Sequence, residues 1–210
     1  MNAKKQDIVD TATRLFAEDG YHAVGIDRII RESGVAKMTM YRNFPSKDDL
    51  VSEVLTQRTH STLASMADAV SRKETPLDRL HEVFAWHDRW FRSRDFTGCM
   101  FVGAISEFRS QPGEIMRTSI AQKTGLRLFL QNLLLELVSR ASAGRLARQL
   151  VMLLDGATLS AVAGDRKGAA GEAWDAASKL VAAEQVESAE SPEAPRVVKR
   201  AQTARRTAAS

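Results

Sequence analysis

The sequence predicts an all-α fold of about nine helices, with a three-helix N-terminal head and a larger helical-bundle body. Apolar residues recur every three or four positions through most of the chain, which is the spacing of one helix face. Glycine, proline and capping residues separate these segments. No segment has the sustained alternation of polar and apolar residues that a half-buried strand requires. A chain of 210 residues is long enough for both parts.

The first three predicted helices form the head, residues 1–47. Their apolar faces are Ile8, Ala12, Leu15 and Phe16 in the first, Ile26, Ile29 and Ile30 in the second, and Val35, Met40 and Phe44 in the third. Gly20 ends the first helix and Gly34 ends the second. Two short helices joined by a glycine-containing turn are the helix-turn-helix pattern. In that motif the second of the two helices lies in the major groove of DNA.

The third helix also carries side chains suited to DNA, because residues 35–47 contain three basic residues and no acidic one. Arginine and lysine pair with guanine, and a threonine or methionine methyl group can contact a thymine methyl group. We therefore expect groove contacts from Lys37, Met38, Thr39 and Arg42, with Arg28 of the second helix as a further candidate. The alternative for Met38 and Thr39 is that they pack or cap within the head.

Six further helices are expected in the body, residues 48–186. They span about residues 46–72, 76–92, 98–108 and 114–138, then a segment lined by Leu146, Leu150, Leu153, Leu154 and Ala157, and finally 171–185. Ser46 and Asp49 suggest a capping box at the start of the first. Thr75 followed by Pro76 is a strong start for the second. Residues 187–210 are rich in Ser, Ala, Pro and charge, so we interpret them as a disordered basic tail or as an arm that touches the DNA backbone.

Composition limits the classes of function. A net charge of +4 and a pI near 9.4 favour a localised basic surface over charge-driven binding along the whole molecule. The single cysteine, Cys99, excludes an internal disulfide and a cysteine-rich zinc module; we interpret it as a buried thiol, with a redox sensor as the alternative. No phosphate-binding loop, HExxH, CxxC or nucleophile elbow is present. We expect no enzymatic activity, no cofactor and no metal.

The N-terminus lacks the apolar stretch of a secretory signal. No uninterrupted apolar run approaches the roughly 18 residues that cross a bilayer. We therefore expect a cytoplasmic protein with no membrane partner.

Four fragments carry a family resemblance. In chain order they are Leu15-Phe16-Ala17-Glu18-Asp19-Gly20-Tyr21, Ser33-Gly34-Val35, Tyr41-Arg42-Asn43-Phe44 and Ser46-Lys47-Asp48-Asp49-Leu50. In this order and with these gaps they resemble the tetracycline-repressor (TetR) family of bacterial transcription regulators. One position departs from the pattern: Gly25 stands where the family usually has Ser or Thr, so a DNA contact from it is limited to the backbone N–H.

The resemblance implies a ligand-responsive regulator, most often a repressor, that binds a palindromic operator in double-stranded DNA as a homodimer. It implies that Tyr41 and Lys47 clamp the DNA backbone, although Lys47 has the alternative of an ordinary surface lysine. It also implies a dimer interface from the helices around residues 146–162 and 171–185. Small residues suit close helix approach there, or packing inside one subunit: Ala157, Ser160, Ala161 and Ala163.

A small-molecule effector is the last implication, and release of DNA would follow its binding. We expect the pocket among the aromatic and polar residues of two neighbouring body helices: Trp86, His87, Trp90, Phe101, Glu107 and Phe108. The alternative is that this aromatic stripe is ordinary core. The rival to the whole interpretation is a helical interaction module, or a co-regulator whose head binds a protein partner and not DNA.

Overall fold

The structure, a computed structural model, describes residues 3–111 and 113–190, and these form nine α-helices and no β-strand. The helices are α1 (Ala3–Asp19), α2 (Ile26–Ser33), α3 (Lys37–Asn43), α4 (Lys47–Ser71), α5 (Pro76–Phe91), α6 (Met100–Phe108), α7 (Glu114–Leu134), α8 (Arg140–Val162) and α9 (Ala169–Glu190). The predicted all-α class is confirmed. None of the described helices is both long and apolar enough to cross a membrane.

Side-chain hydrogen bonds explain where α4 and α5 begin. The Ser46 hydroxyl accepts from the backbone N–H of Asp49 at 3.1 Å, and the Asp49 carboxylate accepts from the backbone N–H of Ser46 at 3.0 Å. This reciprocal capping box starts α4 as predicted. Thr75 caps α5 in the same way, with its hydroxyl 3.1 Å from the backbone nitrogen of Asp78 and Pro76 at the first helical position.

Two helix ends differ from the prediction. α7 ends at Leu134 and not near residue 138, because the N–H of Leu137 donates to the carbonyl of Leu134 in a tighter turn. α9 continues to Glu190, so the expected boundary between body and tail at residues 186 and 187 falls inside a helix. Alanine and glutamate at residues 187–190 are good helix formers, which accounts for the extension. The basic stretch at residues 196–206 lies outside the described residues.

Two apolar clusters hold the molecule together. The head core joins α1–α3 and the first half of α4 to α6, and its buried members from α6 are Met100, Phe101, Ala104 and Phe108. The body core lies among α4, α5, α7, α8 and α9. The residues assigned to the head from sequence are all packed there, with Ile29, Met40 and Phe44 buried and Ile26, Ile30 and Val35 partly buried. The head core is therefore wider than residues 1–47.

Of the four small residues expected to allow close helix approach at residues 157–163, two are buried within the subunit and two are exposed. Ala157 and Ala161 are buried within the subunit, where α8 packs against α9. Ser160 and Ala163 are exposed on the outer side of α8.

Candidate nucleic-acid interface and body cavity

The orientation of α3 follows from which of its residues enter the head core. Met40 is fully buried and Phe44, directly after the helix, is 3% exposed. Opposite them, four predicted contact residues form one exposed face, the reading surface: Lys37, Met38, Tyr41 and Arg42. Thr39 is half-buried beside this surface. Met38 is 81% exposed, so the alternative that it packs within the head does not hold.

The positive charge of Arg28, a predicted groove contact, is already compensated by two carboxylates. Its Nη1 lies 2.6 Å from Asp19 Oδ2 and its Nε lies 2.8 Å from Glu32 Oε1. Glu32 also accepts a 2.6 Å hydrogen bond from Arg14 Nη2, and these two arginines lower the pKa of that carboxyl. The network ties α1 to α2. A DNA contact from Arg28 would require breaking it.

The start of α2 faces open space. Gly25 precedes it in extended conformation (φ −84°, ψ 152°), and no described atom lies within 4 Å of where its Cβ would stand. The first N–H groups of a helix lack partners within the helix and carry its positive dipole end. A backbone contact between this helix end and a phosphate is therefore sterically open.

Glu107 joins the body to the turn between α1 and α2. Its carboxylate accepts hydrogen bonds from the backbone N–H groups of Tyr21 at 3.0 Å and His22 at 2.7 Å, and it lies 3.1 Å from His22 Nδ1. Gly20 has a φ of +83°, and a Cβ there would stand 2.9 Å from Glu107 Oε1. Only glycine fits this close approach in a left-handed conformation.

Tyr21 makes a second connection to α6. Its hydroxyl donates a buried 2.9 Å hydrogen bond to the carbonyl of Met100. Burial raises the pKa of the Tyr21 phenol, so it stays protonated as a donor. The ring packs against Phe16 and, edge-on at 5.8 Å between centroids, against Phe108. Glu107 and Phe108, which the sequence predicts in the pocket, both lie at this junction, because α6 faces the head along that side.

Lys47, the expected backbone clamp, is the first residue of α4 and is half-buried. Partial burial lowers the pKa of its ammonium group, and the nearby Glu107 carboxylate acts in the opposite direction. Lys47 thus lies within the electrostatic reach of the junction.

The other four pocket residues line one narrow cavity of about 40 Å³, the body cavity: Trp86, His87, Trp90 and Phe101. Its walls come from α4 through α8 and also include Arg58, Cys99 and Gln122. Cys99, at the N-terminus of α6, is half-buried, which is more exposed than the buried thiol that its apolar neighbours predict. Sequence reasoning missed Arg58 and Gln122, because neither lies near the aromatic stripe in the chain.

Some polar side chains that line the body cavity have hydrogen-bond or ion-pair partners, and one buried acceptor has none among the described residues. His87 Nδ1 hydrogen bonds to the carbonyl of Val83 at 2.8 Å, and burial lowers its pKa to about 4, so the ring is neutral at pH 7. Lys123 and Asp155 form an ion pair beside it. Gln122 is 6% exposed, and its Oε1 accepts no hydrogen bond from any residue that the structure describes.

A larger opening adjoins the cavity. This junction cleft, about 670 Å³, lies between α1 and the segment that links α5 to α6. Arg58, Trp90 and Gly98 line both spaces. These three residues therefore lie between the body cavity and the cleft beside α1.

The head of this chain is similar in sequence to known transcriptional regulators. Residues 8–54 match the family model for bacterial regulatory proteins of the tetR family. The chain is 29% identical over 84 residues to a fatty acid metabolism regulator protein of Bacillus subtilis, covering 40% of this chain and 43% of that protein. It is equally identical over 84 residues to the HTH-type transcriptional repressor KstR2 of Mycobacterium tuberculosis, covering 42% of that protein. The chain thus spans less than half the length of these curated relatives.

Solved structures extend the likeness over the whole fold. SCO4454, a TetR-family transcriptional regulator from Streptomyces coelicolor, aligns with a TM-score of 0.82 at 27% identity, covering 87% of this chain and 96% of that one. A putative regulator of the same family from Streptomyces avermitilis aligns with a TM-score of 0.76 at 25% identity, covering 87% and 98%.

Proposed function

The chain belongs to the TetR family of bacterial transcriptional regulators, and on that basis we propose that it is a ligand-responsive repressor. It binds a palindromic operator as a homodimer and leaves it when a small molecule binds. The observation that carries the proposal is the reading surface. Its two cationic residues and two large side chains are exposed on α3, which Met40 and Phe44 hold against the head core. Such a regulator acts on the chromosome, so we assign it to the cytoplasm.

The head, residues 1–47, would bind DNA through α3 in the major groove. Lys37 and Arg42 supply hydrogen-bond donors for base edges, and Met38 supplies an apolar contact for a thymine methyl group. Tyr41, 43% exposed, and Lys47 supply phosphate contacts that fix the register of the helix.

A homodimer would place two such helices about 34 Å apart, one turn of DNA. We propose residues 146–162 of α8 and 171–185 of α9 as its interface. Large apolar side chains are exposed along α8: Met152 (65%), Leu159 (70%) and Val162 (53%). Gly156 lies on the same helix, with no described atom within 4 Å of a Cβ built there. Exposed apolar side chains beside small residues favour close packing of a second helix.

The body, residues 48–186, would bind the effector and change the spacing of the two heads, because a ligand acts only through its different affinity for two states. α6 offers the connection. One end of it lines the body cavity, and the same helix holds the α1–α2 turn through Met100 and Glu107.

Selection of bound fragments from a random duplex library tests the proposal. We expect enrichment of a two-fold symmetric motif, bound by two chains. Arg42→Glu should lower the affinity for the enriched duplex at least about tenfold. Arg140→Glu makes the same charge change at an exposed residue on the first turn of α8 and should not. If the folded dimer enriches no sequence, the proposal fails, and the protein-binding alternative takes its place.

A further inference from the structure

Resting on the proposed function, we infer that the body cavity takes a neutral aromatic molecule that carries hydroxyl groups as hydrogen-bond donors. The three features that select this class are the aromatic walls, the buried acceptors of Gln122 and His87, and the pairing of Lys123 with Asp155. Each follows from different residues.

The walls select a flat ring. Trp86 and Trp90 lie 5.9 Å apart between ring centroids on successive turns of α5, with the His87 imidazole 5.2 Å from the first and 5.9 Å from the second. Phe101 of α6 lines the same space. Aromatic faces and edges at this spacing favour a ring in offset or edge-on contact.

The polar groups select hydrogen-bond donors on that ring. Gln122 Oε1 is a buried acceptor with no donor among the described residues. His87 donates from Nδ1 to a carbonyl, so Nε2 is its remaining acceptor. Buried acceptors require donors. A hydroxyl group satisfies one, whereas an ether or ketone of the same size leaves it unpaired.

The charges disfavour an ionised ligand deep in the cavity. His87 is neutral, and Lys123 is paired with Asp155. A charged group would lose its hydration without a free counter-ion at that depth. Arg58 forms no ion pair within residues 3–111 and 113–190. It is half-buried where the body cavity meets the junction cleft, so a carboxylate bound to it would remain outside the space between the aromatic side chains.

The small volume links binding to the head. A cavity of about 150 Å³ admits benzene, and the body cavity measures about 40 Å³. Its walls must therefore separate when a ring enters. Cys99 and Phe101 at the start of α6 belong to those walls, so displacement of α6 carries with it the contacts of Met100 and Glu107 to the α1–α2 turn.

Calorimetric titration of the full chain without DNA tests the inference with three probes. Resorcinol has two donors, 1,3-dimethoxybenzene has the same ring without donors, and benzoate is ionised. We expect resorcinol to bind about tenfold more tightly than either of the others. Gln122→Met should reduce that preference, because only the His87 acceptor then remains. Gln131→Met, the same change elsewhere on α7, should keep it.

Thermal melting separates a ligand role from a structural one. Gln122→Met removes an unpaired buried acceptor, so its melting temperature should equal or exceed that of the wild type. Equal binding of dimethoxybenzene, an undiminished preference for resorcinol in Gln122→Met, or tighter benzoate binding that Arg58→Ala abolishes would overturn the inference. Because DNA is absent from the titration, failure to bind DNA would refute the proposed function without touching this result.

Discussion

Removal of the Glu107 carboxylate should lower both the free energy of unfolding and the affinity of the protein for DNA. Glu107 accepts two backbone hydrogen bonds from the turn that joins α1 to α2. A hydrogen bond to a charged group contributes about 1.5–3 kcal/mol when shielded. The Glu107 side chain is 27% exposed and the His22 side chain is 53% exposed, so solvent screening reduces what these hydrogen bonds contribute. We therefore expect Glu107→Ala to lower the free energy of unfolding by about 2 kcal/mol.

Urea denaturation at one fixed protein concentration measures this loss, because dimer stability depends on concentration. Glu114→Ala is the matched control. That glutamate is 61% exposed on α7, and its partners among the described residues are the neighbouring Arg117 and Thr118, so its loss should cost less than about 0.5 kcal/mol. The Glu107 variant should also bind the selected duplex more weakly, since the α1–α2 turn positions the reading surface. Equal stability of the two variants would refute the role of Glu107 as the connection between body and head.

Three further changes test other parts of the structure. Gly20→Ala should lower the free energy of unfolding by about 1–2 kcal/mol, because φ at this position is +83° and the new Cβ would meet Glu107. Gly25→Ser is the contrasting change, because the new side chain enters open space at the start of α2 and should stabilise that helix slightly. The pKa of His87 is about 4 in the folded state against 6.5 in the unfolded state, so the unfolded state binds more protons between these pH values. The free energy of unfolding should therefore fall by about 3 kcal/mol as the pH is lowered from 6.5 to 4. Urea titration at each pH measures this fall, and His87→Gln should flatten the resulting curve. Leu159→Glu should convert the dimer to a folded monomer in sedimentation, unlike Leu77→Glu, and an unchanged dimer would remove α8 from the interface.

The helix starts and the head could be predicted because their signals are local. Ser46 and Thr75 cap helices through residues three positions away, and the apolar stripe of α3 identifies Met40 as core without knowledge of its partners. The aromatic residues of α5 could be grouped for the same reason, since Trp86 and Trp90 are one helical turn apart.

Contacts between distant parts of the chain could not be predicted in this way. Glu107 meets Tyr21 across 86 positions, and nothing in its own segment distinguishes it from a pocket residue. Gln122 reaches the body cavity only because α7 packs beside α5. Arg28 is a partial exception: Glu32 lies four positions later, a spacing that favours an ion pair on a helix, and this pair competes with a DNA contact.

The central claim is that the exposed face of α3 reads DNA, and a salt titration of the selected duplex with wild-type, Arg42→Glu and Arg140→Glu protein tests it most directly. The account predicts that wild-type affinity falls steeply with salt, that Arg42→Glu lowers it at least about tenfold, and that Arg140→Glu follows the wild-type curve. Coincident curves for the two variants, with both proteins folded and dimeric, would contradict the claim.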